Sequence, residues 1–232
     1  MKQLLLLFFI LIDYAYLLAQ DSTHVTIQAG NDIEDVLTPA QIYYYPQFTK
    51  GNVFFKDGTK ATAKMNYNRL FDQMLFINPK GDTLALANEK MIKFIAVDQD
   101  TFYYDEGYIR IIADNDFVKL AEKQIWVVAD IRKIGTHNAG STPGITSVRT
   151  FRNGNEVTRN NLTLNEDIVL RKETQYYIGN KYNDFARPSK KGLMLLFPKE
   201  QRSIENYLKE NKIDFNKKDD LEKLYQFLSQ RH

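Results

Sequence analysis

The chain contains no cysteine. That excludes disulfides, thiolate nucleophiles and cysteine metal sites. Histidine is nearly as scarce, with only His24, His137 and the terminal His232. No H-E-x-x-H pair is present, so a zinc hydrolase is not expected. There is no G-x-S-x-G elbow for a Ser-His-acid centre. There is also no P-loop or G-x-G-x-x-G turn for a nucleotide. Neither sign of charge dominates: 31 Lys and Arg stand against 29 Asp and Glu, for a net charge of +2. Such a balance gives no footprint for nucleic acid or for an anionic membrane surface. Beyond the first twenty residues no apolar run approaches the roughly 20 residues that a membrane span needs.

The N-terminus is the exception to this polar mixture. It reads MKQLLLLFFILIDYAYLLAQ, with Lys2 ahead of an unbroken apolar run from Leu4 to Ile12. Small residues then lead to Asp21 and Ser22. A charged n-region, a short apolar h-region and a small-residue boundary make a secretory signal, with cleavage expected after Ala19 or Gln20. The missing cysteine rules out a lipid anchor on an N-terminal Cys. It also suits a bacterial periplasm or cell envelope better than the disulfide-rich animal exterior.

The mature part is rich in aromatic residues, with 14 Tyr and 15 Phe in the whole chain. Aromatics favour pleated, half-buried surfaces. From Gly51 to Ile134 short apolar segments alternate with turn signals. Asp57-Gly58 reads as a type I′ hairpin, and Asn78 to Asp82, Asp98 to Asp100 and Asp105 to Gly107 read as further turns. Glu122-Lys123 reads as the joint between a strand at Phe117–Ala121 and another at Gln124–Ile134. The absence of a βαβ rhythm argues against a parallel sheet.

Gly135 to Asn165 is rich in Gly, Asn, Ser and Thr and reads as a polar loop or linker, with a hairpin signal at Asn153-Gly154. Strand character resumes at Ile168–Ile178. Helical spacing then takes over. Leu193, Leu196 and Phe197 share a face, as do Ile204, Tyr207 and Leu208. Leu221, Leu224, Tyr225 and Leu228 recur at i, i+3, i+4 and i+7, with Asn216 as the expected N-cap. The expected fold is α+β: a predominantly antiparallel β meander or rolled sheet with C-terminal helices. Its expected divisions are a signal at 1–20, a strand-rich domain at 21–134, a polar loop at 135–165, and a final strand plus helical segment at 166–232.

Chemistry is harder to find. The acidic turns at Asp98–Glu106 and Asp114–Asp116 lack the ligand series of a calcium loop, so no metal is expected. No cofactor is expected either. A carboxylate pair for glycoside cleavage is a matter of spatial separation, which spacing along the chain does not fix. The tyrosine clusters are the most unusual feature: Tyr43, Tyr44 and Tyr45; Tyr103, Tyr104 and Tyr108; Tyr176 and Tyr177. Successive strand residues face opposite ways, so one tyrosine of a pair fills a core and its neighbour lies outside or beneath a helix. Outward tyrosine suits a contact surface because it buries area and keeps a polar tip.

Two stretches carry a resemblance. GNVFFKDGTKATAKMNYNRLFDQMLFINPKGDTLALA (51–87) and PSKKGLMLLFPKEQRSIENYLKENKIDFNKKDDLEKLYQFL (188–228) resemble segments of exported proteins of unassigned function from bacteria of the Bacteroidetes group. The signal ending in Ala-Gln is similar to signals of that group. The resemblance implies a periplasmic or envelope location and carries over no catalytic residue, ligand or partner. The expected function is non-enzymatic binding of a protein or surface polymer of the cell envelope, with the eight clustered tyrosines as candidate contacts. Two alternatives stay open: a metal-independent hydrolase of glycans or peptides, and a carrier of an apolar ligand.

Overall fold

The computed structural model describes residues 24–132, 149–150 and 166–230. The expected signal, the Asn153-Gly154 hairpin and His137 therefore lie outside the described residues, as does nearly all of the expected polar loop.

Twelve described strands form one antiparallel sheet. In chain order they are β1 (His24–Ile27), β2 (Thr49–Phe55), β3 (Lys60–Asn68), β4 (Gln73–Ile77), β5 (Thr83–Ala85), β6 (Ile92–Val97), β7 (Asp100–Tyr104), β8 (Tyr108–Asp114), β9 (Val118–Arg132), β10 (Arg149–Thr150), β11 (Asp167–Asn180) and β12 (Phe185–Ala186). Their order across the sheet is β1-β11-β9-β8-β7-β6-β2-β3-β4-β5, with β10 beside β9 and β12 beside β11. The path has two ends, so the sheet is not closed. Five short α-helices and one 3-10 turn (Glu89–Met91) complete the described chain. The helices are α1 (Ile33–Val36) and α2 (Pro39–Ile42) near the start, then α3 (Lys190–Leu196), α4 (Gln201–Glu210) and α5 (Lys218–Ser229) at the C-terminal end. The architecture is α+β, as its composition and periodicity indicate.

Local chemistry explains most boundaries. Asn78 accepts from the backbone N–H groups of Lys80 and Asp82, which sets the β4–β5 turn, and Gly81 takes the left-handed φ of 92°. Ser189 caps α3 by accepting from Gly192 N–H at 3.0 Å, and Pro198 follows the helix that it cannot continue. Asp219 and Asp220 place negative charge in the first turn of α5, where the helix dipole favours it.

Three sequence expectations are corrected. First, the β2–β3 loop is not a two-residue type I′ turn. Only Gly58 has positive φ, and the loop closes through Phe55 N–H donating to Thr59 O and Gly58 N–H to Phe55 O. Second, α5 is preceded by Lys217 rather than capped by Asn216, and its first turn is tied instead by Asp220 accepting from Asp214 N–H. Third, Glu122-Lys123 is not a turn. It lies inside β9, which is continuous from Val118 to Arg132. Two adjacent charges persist within a strand because each faces its own oppositely charged partner: Glu122 meets Arg110, and Lys123 meets Asp72.

The long β9–β11 ribbon organises the molecule. At one end Val118, Leu120 and Ile178 pack beneath the C-terminal helices, against Leu193, Leu196, Phe197, Ile204, Leu221, Leu224 and Leu228. At the other end Trp126, Ile168 and Leu170 pack with Ile27, Ile33, Leu37, Ile42 and Leu70 from the N-terminal segment and the β3–β4 loop. The meander holds a third apolar cluster around Val53, Met65, Tyr67, Met74, Ile95, Val97, Phe102 and Tyr108. The β3–β4 loop folds back onto β9, where Trp126 N–H donates to Arg69 O at 3.1 Å. That return brings Asp72 to the middle of the ribbon.

Candidate functional site

A recess of ligand size lies on the face of β9 and β11 opposite the helical core. Register places Lys123 beside Gln175 and Ala121 beside Tyr177. Side chains two apart on a strand share a face, so Lys123 and Ile125 from β9 and Gln175 and Tyr177 from β11 form a common floor. The β7–β8 turn supplies one wall with Asp105 and Glu106. β12 and the residue after it supply the other with Phe185, Ala186 and Arg187. Together they bound a cleft of about 640 Å³, within the size range of ligand sites.

Beneath this cleft lies a buried ion pair. Lys123 Nζ is 3.2 Å from Asp72 Oδ2, with side-chain exposures of 5% and 7%. Desolvating two charges is costly unless their remaining valences are filled. They are filled here: Asp72 Oδ1 accepts from Tyr67 Oη at 2.8 Å and from Tyr108 N–H at 3.1 Å, and Lys123 also donates to Glu106 O at 3.1 Å. Burial, together with the neighbouring Asp72 charge, holds the Tyr67 phenol well above its ordinary pKa. Asp72 has φ of 52° and Glu106 of 50°. Gly107, at φ 134°, completes the tight approach. A Cβ there would stand 2.1 Å from both Asp72 Oδ2 and Lys123 Nζ. The two turns and the ion pair are therefore built around one another.

The cleft walls carry opposite charges. Burial, then the charge of Glu106, raise the Asp105 carboxyl above its ordinary value, with Lys123 opposing. Across the cleft the Arg187 guanidinium lies over the Tyr177 ring, 4.8 Å from its centroid. Arg187 is exposed and forms no ion pair among the described residues. Neither do the Asp105 and Glu106 carboxylates.

Aromatic rings continue from the cleft. Phe185 stands 5.4 Å from Tyr103, Tyr103 stands 6.1 Å from Phe94, and Phe94 stacks on Phe54 at 4.5 Å. All four are half-buried.

The eight tyrosines singled out by sequence separate between the two faces. Tyr177 lies in the cleft floor, and Tyr103 supports Phe185 behind it. The other six face elsewhere. Tyr43 packs 5.9 Å from Phe48, and its carbonyl accepts from Arg69. Tyr44 lies edge-on to Tyr45 and Phe102. Tyr45 donates to Asp100 Oδ2 at 2.8 Å. Tyr104 packs on the buried Tyr108, and Tyr176 lies against the helical core. Neighbours within a pair part to opposite faces, with Tyr103 in one cluster and Tyr104 in another. Comparison with family models, with curated proteins and with solved structures finds no match to this chain.

A second polar group lies inside the meander. Arg110 bridges Asp100, at 2.8 Å, and Glu122. The cavity beside it, lined by Tyr44, Tyr67, Phe102, Tyr108, Arg110, Glu122 and Gln124, measures about 10 Å³, room for about one water molecule.

Asp72, Lys123, Phe185 and Arg187 escaped the sequence reading. The one local signal was a charged dipeptide inside an otherwise apolar run, Glu122-Lys123, followed by Gln124-Ile125-Trp126. Read with strand alternation, it announces two oppositely charged partners, one on each face. Among the described residues no three His, Asp or Glu side chains cluster as metal ligands, and no helix is long and apolar enough to cross a membrane.

Proposed function

We propose that this is an exported protein of the bacterial cell envelope that binds a segment of another protein in the cleft between the β7–β8 turn and β12. One observation carries the reading. A recess of ligand size combines charges of both signs that form no ion pair among the described residues with apolar and aromatic residues, Ile125 and Tyr177 in the floor and Phe185 in the wall. Such a mixture suits a polypeptide, which offers charged, amide and apolar groups in close succession. Export rests on the N-terminal signal pattern, and the envelope setting on that pattern together with the family resemblance.

Two other readings have less support. A carrier of an apolar ligand needs an internal volume, and the meander cavity has room for about one water. A hydrolase has one observation in its favour: Asp105 is a carboxyl with a raised pKa next to a second carboxylate, the pattern of a poised acid. Yet Asp105 and Glu106 share one wall and face a guanidinium, whereas glycoside cleavage places its two carboxyl groups on either side of the scissile bond.

The test uses the mature chain and native envelope material separated into protein and polysaccharide fractions. Immobilised protein should bind the chain saturably, and Arg187→Glu should abolish that binding while leaving the thermal midpoint unchanged. Saturable binding to polysaccharide alone would refute the reading. Turnover of envelope glycans or peptides that Asp105→Asn abolishes would establish the hydrolase instead.

A further inference from the structure

The charges of the cleft are arranged as a pair of separated, opposite walls. On one side Asp105 and Glu106 project from the β7–β8 turn. On the other, Arg187 follows β12. The intervening floor is uncharged at Ile125 and Tyr177, and its one cation, Lys123, is already engaged by Asp72 and the Glu106 carbonyl. Unlike charges in one recess usually collapse onto each other, as Arg110 does with Asp100 and Glu122 a few residues away. Here they do not. No described carboxylate pairs with Arg187, and no described cation pairs with the Asp105 or Glu106 side chains.

The fold holds both walls in place. The turn is fixed by Lys123 donating to Glu106 O and by Gly107 packed against the Asp72–Lys123 pair. Arg187 lies over the Tyr177 ring, and the strand leading to it is held by the seating of Phe185 over Gly179. A Cβ at Gly179 would meet the Phe185 ring at 2.5 Å. A guanidinium placed over an aromatic face keeps N–H donors available for a planar acceptor.

We infer that the cleft takes a zwitterionic ligand of short-peptide size, with an ammonium group against Asp105 and Glu106 and a carboxylate on Arg187. A peptide with both ends free is the simplest molecule of this kind. The inference rests on the protein-binding reading above and narrows it to a segment that presents an ammonium and a carboxylate, from side chains or from a chain end.

Glycine oligomers of one to four residues serve as probes because they vary charge separation without adding side chains. Titration by calorimetry and by amide chemical shifts would use each oligomer free, N-acetylated, C-amidated and capped at both ends. One oligomer length should bind best and shift the resonances of Ile125 and Tyr177. Capping either end, or introducing Arg187→Gln or Asp105→Asn/Glu106→Gln, should weaken that binding by at least about tenfold, as expected for loss of a charge-assisted hydrogen bond. Each of these side chains is at least partly exposed, so the variants should keep the parent's thermal midpoint or be more stable. If doubly capped peptides bind as tightly as free ones, the charge-pair inference fails while the protein-binding reading stands. If no oligomer binds while envelope protein is still captured, the inference likewise fails alone. Loss of both binding and capture removes the reading beneath it.

Discussion

Lys123 shows how one side chain can tie distant parts of the chain together. It stands in the middle of β9, pairs with Asp72 from the β3–β4 loop, and donates to Glu106 in the β7–β8 turn. Removing one partner of a buried pair leaves an uncompensated charge, at a cost of about 3–5 kcal/mol. Lys123→Ala should therefore lower stability by that order in denaturant unfolding, and Asp72→Ala similarly. Removing both partners together should cost less than the sum of the two, because no buried charge is left alone. Strict additivity would show that the pair is not coupled.

Asp105 makes a prediction of opposite sign. Its carboxyl is raised above the ordinary value of 3.8 by burial and by Glu106. The folded state then favours the protonated form. This site's contribution to stability is complete below the unfolded value and is lost as pH rises through the folded value. Asp105→Asn should thus unfold at a higher temperature than the parent at neutral pH, and the difference should vanish below pH 3.8. A variant less stable than the parent at neutral pH would show that burial does not disfavour the ionised carboxyl.

At the scale of elements, the C-terminal helices are held by apolar faces that the sequence makes plain. Leu221, Leu224 and Leu228 recur at helical spacing, and all three are fully buried against β9 and the other helices. Leu224→Ala should cost about 2–5 kcal/mol, read as a lower denaturation midpoint. An unchanged midpoint would mean that α5 packs elsewhere. Strands bounded by Gly and Asp turns were equally legible, because each turn carries its own chemistry. The middle of β9 was not. A charged dipeptide suggests a turn when its partners are unknown, and those partners, Arg110 and Asp72, come from other parts of the sheet. β12 and β1 were hidden for a different reason. They are short, and their pairing depends on β11 rather than on any pattern of their own.

For the molecule as a whole, antiparallel architecture followed from the rhythm of strands and turns, but the site did not. Tyrosines were conspicuous in composition, yet only Tyr177 lies in the cleft floor, with Tyr103 behind it. The residues that give the cleft its charge come from positions 105–106 and 187, which only the sheet order brings together. Export is the other whole-molecule expectation. Sequencing the N-terminus of the protein recovered from its native host should find a start within one or two residues of Asp21. Recovery of an intact Met1 on the exported protein would exclude cleavage of the signal.

The proposed binding places a partner on the face bearing this cleft and not on the helical face. Photo-crosslinking in the native envelope tests it most directly, with a benzophenone side chain placed either at Gln175 in the cleft floor or at Leu195, which is 77% exposed on α3. A discrete protein adduct is expected from position 175 that disappears when Arg187→Glu is added, and none from position 195. Adducts of equal yield from both positions, or an adduct from 175 that survives Arg187→Glu, would contradict it.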